Sequence, residues 1–109
     1  MVTRLACAYL QGEVELTAER EEHILERHPD LLRDHAAAVA ETLADPDQVA
    51  RSVRFQNVRL LSRWYTGLRG GKYAVVVVVS DPPPSARHRI VTAYLSRRVA
   101  RGIVEWVRS

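Results

Sequence analysis

Lys72-Tyr73-Ala74-Val75-Val76-Val77-Val78-Val79-Ser80 decides the fold. Five successive β-branched side chains favour an extended backbone over a helix. Alternation would send them to both faces of a strand, and a strand apolar on both faces needs cover on both, which places it in the middle of a sheet. The apolar run from Ala74 to Val79 is far shorter than the roughly 20 residues that a membrane-spanning helix needs, so no membrane partner is expected.

Working outward, Gln48 to Phe55, Val58 to Tyr65 and His88 to Leu95 also alternate with period two, and turn residues separate them at Gln56-Asn57, Gly67 to Gly71 and Asp81 to Ala86. Short connections favour an antiparallel meander. Asp81-Pro82-Pro83-Pro84-Ser85 reads as a stiff exposed turn. Upstream, Thr17 stands where an N-cap belongs, and Glu19, Glu21 and Glu22 put negative charge in the first turn of a helix. Pro29 disfavours helical geometry at His28, so that helix should end near Arg27. A second helix spans about Leu31 to Leu43 on the stripe Leu32, Ala36, Val39, Ala40 and Leu43, closed by Asp45-Pro46-Asp47. Leu5 to Leu10 and Glu13 to Leu16 suggest a strand pair around Gln11-Gly12, whereas the tail from Gly102 to Val107 reads equally as a strand or a short helix. The expectation is a single α+β domain over residues 1–109, with two N-terminal helices packed on a four-stranded antiparallel sheet.

Charge is sorted along the chain. Residues 1–50 hold four basic and eleven acidic residues, a balance of −7; residues 51–109 hold twelve basic and two acidic residues, a balance of +10. A strand-rich, arginine-rich half points to phosphate recognition and makes RNA or DNA the leading partner. Cys7 is the only cysteine, which excludes an internal disulfide and suggests a small buried hydrophobe. The N-terminus lacks the apolar region of a secretory signal, so a cytoplasmic location is expected. His23 and His28 at a five-residue spacing make a poor metal site without cysteine or an evident third ligand, and no metal or cofactor is expected.

Alternation also groups side chains. One face of Val58–Tyr65 carries Val58, Leu60, Ser62 and Trp64, and the other carries Arg59, Leu61, Arg63 and Tyr65; on His88–Leu95, His88, Ile90, Thr92 and Tyr94 share a face. If the helices cover the more apolar sides, Arg63, Tyr65, His88, Thr92 and Tyr94 converge on the open side with Ser52 and Arg54. Such a group could hold and polarise a phosphate. The competing reading is that these are ordinary half-buried strand residues. His23 sits on the first helix between Glu19 and Arg27, and a break at Pro29 would free His28 to turn toward the sheet. His35 is expected beside Val39.

The run His23-Ile24-Leu25-Glu26-Arg27-His28-Pro29-Asp30-Leu31, then Leu43-Ala44-Asp45-Pro46-Asp47, the valine-rich strand and Ile90-Val91-Thr92-Ala93-Tyr94 resemble the small phage-type domains of the barnase/EndoU/colicin/RelE-like (BECR) nuclease superfamily, from about Leu16 to Leu95. The resemblance implies two helices before a four-stranded sheet and metal-independent RNA cleavage, with a toxin or effector role and an antitoxin or immunity protein as a partner to consider. It carries over only to His23, His28, Thr92 and Tyr94. Nearly all the cations here are arginine, and a proline-rich insert precedes the Thr-Ala-Tyr strand; both depart from the family pattern.

The chemistry expected is removal of a ribose 2′-hydroxyl proton by a histidine and cleavage to a 2′,3′-cyclic phosphate. His23 would be base or acid with His28 as its partner or as an orienting residue, Arg63 would stabilise the phosphoryl oxygens with Thr92 and Tyr94, and Tyr65 would stack a base or donate to phosphate, with Arg54, His88 and Ser52 completing the substrate surface. The rivals are a non-catalytic basic module binding RNA or protein, and a scaffold that forms a salt-sensitive homodimer.

Overall fold

The computed structural model describes residues 2–109, without the side chains of Arg33 and Asp34. The chain runs β1 (Val2–Cys7), β2 (Gly12–Thr17), α1 (Ala18–Arg27), α2 (Pro29–Ala44), β3 (Gln48–Arg51), β4 (Val58–Tyr65), β5 (Lys72–Ser80), β6 (His88–Ser96) and β7 (Ile103–Val107). The sheet has seven strands rather than four, in the order β1-β2-β6-β5-β4-β3-β7, and a β-hairpin precedes the helices. The α+β class and the antiparallel meander β3–β6 agree with the sequence, and β5 is the central strand. The strand pair read near the N-terminus and the tail, readable as strand or helix, both extend the sheet beyond the four strands expected. The β1–β2 hairpin joins through a short parallel pairing of Val14 and Glu15 with His88 and Arg89, and the tail returns as a strand on the far side of β3.

Both helices lie on one face. There Val49, Leu61, Ala74, Val76, Val78, Ile90 and Ala93 meet Ile24, Leu31, Val39 and Leu43, with Cys7 buried among them as expected. Ile24, Leu31, Leu43 and Leu61 have no exposed surface, and each contributes roughly 1.5–3 kcal/mol of burial. Thr17 caps α1 by accepting from the Arg20 amide at 3.2 Å, and Pro29 opens α2, leaving His28 at φ −137°, ψ 61° between the two helices. Non-helical geometry at His35 shifts the phase of α2. The buried stripe therefore includes Leu31, Ala38, Val39, Thr42 and Leu43, while Ala36 is exposed.

The opposite face carries no helix among the described residues. Residues 97–102 cross it on the way from β6 to β7: the Ala100 amide donates to Ser62 Oγ at 3.3 Å, and Gln48 Nε2 donates to the Ala100 carbonyl at 3.2 Å. The crossing is close. A Cβ at Gly102 (φ +157°) would stand 2.5 Å from the Arg51 carbonyl oxygen, so only glycine suits that position. No helix among the described residues is long and apolar enough to cross a membrane.

Candidate nucleic-acid interface

The sequence correctly separates the two sides of β4, but the covered side is the one expected to be open. Leu61, Arg63 and Tyr65 lie opposite Val76, Ala74 and Lys72, on the helix side. Tyr65 points into α2, where its hydroxyl donates to Glu41 Oε1 at 2.9 Å and lies 3.3 Å from the Ala38 carbonyl. Burial, reinforced by the Glu41 carboxylate, pushes its pKa up to about 12. Arg63 lies 5.6 Å above the Tyr65 ring and donates to the carbonyl and carboxylate of Asp45 at 2.6 and 3.1 Å. Arg63 and Tyr65 are thus tied to the helix layer and do not join Thr92 and Tyr94.

On β6 a bulge overturns the expected grouping. Val78 pairs with Ile90 and Val77 with Thr92, so Val91 is an extra residue. One inserted residue reverses the alternation beyond it. Ile90 and His88 therefore remain on the helix side, whereas Thr92 and Tyr94 lie across from Val77 and Val75 on the helix-free side. His88 stands at the other end of the strand with its Nδ1 2.7 Å from Ser80 Oγ. Ser52 and Arg54 are not on a strand. β3 stops at Arg51, and the Ser52 hydroxyl accepts from the amides of Arg54 and Phe55 to form the β3–β4 turn. That turn is at the opposite end of β4 from Tyr65, seven residues or roughly 24 Å away. His23 does not join the group either: it sits in a shallow groove of about 360 Å³ lined by Glu19, Arg20, Glu22 and Glu26 of its own helix.

One pairing does form. The β2–β6 ladder covers only His88 and Arg89, so the later part of β6 has a free edge along which α1 packs. There the ring of His28, released from both helices by Pro29, lies 5.9 Å from the ring of Tyr94 at an angle of 43°. Burial pushes the Tyr94 phenol above its ordinary pKa, which keeps it a neutral hydrogen-bond donor. Thr92, two residues away, has a buried hydroxyl with no hydrogen-bond partner among the described residues. A buried hydroxyl without a partner is uncommon in a folded protein.

Cation pairing separates free from committed arginines. Seven of the twelve cations in residues 51–109 form ion pairs: Arg51 and Arg59 with Glu105, Arg63 with Asp45, Arg69 with Asp30, Arg87 with Glu15, Arg89 with Asp81, and Arg108 with Asp45 and Asp47. Among the described residues, Arg54, Lys72, Arg97, Arg98 and Arg101 form none. Three of these five belong to the segment crossing the helix-free face, directly after the end of β6. Three arginines within residues 97–101 make that segment basic, and the position of β7 shows which face it crosses. No group of histidine, cysteine and carboxylate side chains suited to a metal ion occurs among the described residues. No protein-family model, curated protein or solved structure matches the chain.

Proposed function

We propose that the protein is a metal-independent endoribonuclease of the barnase/EndoU/colicin/RelE-like type, with its chemistry at the His28–Tyr94 corner. The contact between those two rings is the observation that carries the proposal. His28 removes the proton from a ribose 2′-hydroxyl, the 2′-oxygen attacks phosphorus, and the 5′-oxygen departs, leaving a 2′,3′-cyclic phosphate. Tyr94, held neutral by burial, donates to the phosphoryl group or to the departing oxygen, and the Thr92 hydroxyl gains an acceptor when phosphate is bound. Arg97 and Arg98 take over the role expected of Arg63, which is committed to Asp45.

The test is incubation of end-labelled RNA with the protein in EDTA, followed by analysis of the product ends. The expected result is cyclic-phosphate termini, with activity falling about 100-fold or more in His28→Ala and Tyr94→Phe variants whose melting temperatures are unchanged. Full activity of His28→Ala, or a strict requirement for a divalent ion, would reject the proposal. The second reading, a non-catalytic RNA-binding module, draws on the unpaired Arg97, Arg98 and Arg101. Its signature is salt-sensitive RNA binding without shortening of the RNA.

A further inference from the structure

Trp64 is held as if for contact. It lies on the helix-free face at the end of β4, paired with Tyr73 of β5, which in turn pairs with Ser96 at the end of β6. Four constraints fix it. Its backbone amide donates to Asp47 Oδ2 at 2.7 Å, and its indole Nε1 donates to Thr66 Oγ1 at 3.1 Å. Tyr73 meets its ring edge-on, with centroids 5.0 Å apart and planes at 66°. The fourth is Gly71, at φ +106°, where a Cβ would come within 2.6 Å of the indole Cζ2. Even so, 43% of Trp64 remains exposed. An indole whose orientation is already set loses little freedom when a flat partner stacks on it.

The surroundings identify that partner. Tyr94 is on the same face, two strands across and two residues along, roughly 12 Å away by sheet spacings. Arg97 and Arg98 follow Ser96 directly, are exposed, and form no ion pair among the described residues. The Arg98 amide donates to Ser96 Oγ at 3.1 Å, which ties the start of this segment to the β6 end of the aromatic row. Aromatic faces beside unpaired guanidinium groups match the alternating bases and phosphates of a single strand, whereas a duplex hides its base faces.

We propose that the helix-free face is a platform for single-stranded RNA, on which Trp64 stacks an unpaired base while Arg97 and Arg98 hold the adjoining phosphates, with the strand running toward Tyr94. The proposal names the substrate of the ribonuclease site and rests on that assignment for the direction of the strand. It also puts Trp64 in the stacking role expected of Tyr65.

The two tryptophans allow a direct test. In a Trp106→Phe variant, Trp64 is the sole indole, and it is titrated with a 2′-O-methyl dodecaribonucleotide, which lacks the 2′-hydroxyl needed for cleavage. Saturable quenching by the single strand, with little by the same strand annealed to its complement, is the expected result. Fluorescence anisotropy of a labelled strand should show binding about tenfold or more weaker in a Trp64→Leu variant. Quenching that is absent despite binding by anisotropy, equal quenching by the duplex, or no binding at all would overturn the platform. Parallel incubation with unmodified RNA separates the two proposals. Cleavage without quenching removes the platform and keeps the nuclease, whereas quenching without cleavage keeps the platform on a binding module. Because the quenching arm leaves Trp64 in place, failure of Trp64→Leu to fold does not prevent a decision.

Discussion

Tyr65 shows how the environment of one side chain changes its chemistry. Its hydroxyl is hydrogen-bonded to Glu41 beneath α2, and its pKa stands near 12 against an ordinary value of 10. Because the folded value is the higher one, the contribution to stability is complete below pH 10 and is lost as pH rises through 12. Urea denaturation over that range should show a falling midpoint in the native protein and a flatter profile in Tyr65→Phe. The same variant should lose about 1 kcal/mol at neutral pH with the Glu41 hydrogen bond. The alternation that put Tyr65 beside Arg63 was legible in the sequence, and half-burial was the competing reading; that the helices cover this face was not legible. Arg59 and Arg63 look like solvent-facing residues, yet each finds a carboxylate, Glu105 and Asp45, 46 and 18 positions away. Charge neutralised at such distances lets a face containing arginine lie toward the helices, and no local pattern announces it.

At the scale of elements, the central strand, the two neighbouring hairpins and the break at Pro29 could all be read directly, because each rests on local backbone preference. The bulge at Val91 and the kink at His35 could not. Neither contains glycine or proline, and each changes the phase of the side chains that follow. The last strand shows a third limit: Ile103-Val104-Glu105-Trp106-Val107 alternates poorly because Glu105 is an inserted residue between the Val104–Ala50 and Trp106–Val49 pairs. Glu105 accepts from Tyr9 at 2.9 Å and from Arg59 at 2.7 Å and lies near Arg51, joining β7 to the tip of the β1–β2 hairpin. Burial alone would raise its pKa, but the bonds from Arg59 and Tyr9 and the charge of Arg51 outweigh that and hold it below the usual 4.5. Its stabilisation is therefore present above that value and lost as pH falls through the lower native one. Glu105→Gln should cost about 1 kcal/mol at pH 7 by urea denaturation, with the difference from the native protein closing in acid.

For the molecule as a whole, the opposite charges of the two chain halves were evident from composition, and part of that opposition is spent internally, where Arg63, Arg69, Arg87 and Arg108 pair with Asp30, Asp45, Asp47 and Glu15. Ion pairs such as Arg87–Glu15 and Arg108–Asp45 join the halves, and of the five cations of residues 51–109 that form no pair among the described residues, three lie on the 97–102 crossing. If that crossing is the phosphate contact, replacing Arg97, Arg98 and Arg101 together by alanine should reduce the slope of log affinity against log salt for single-stranded RNA by about 2. An Arg87→Ala control should leave the slope nearly unchanged, and filter binding across a salt series would check both.

The order of the strands also distributes chain entropy unevenly. Joining residues 14 and 88 closes a far longer loop than joining 65 and 72, at roughly 2 kcal/mol more by the logarithmic dependence on length. The contact between Tyr9 and Glu105 spans 96 positions. Closure entropy therefore accumulates at the two rims of the sheet, while the meander around Val75–Val79 needs only short hairpins to assemble. A partly opened molecule would keep its hydrophobic centre and release its periphery first.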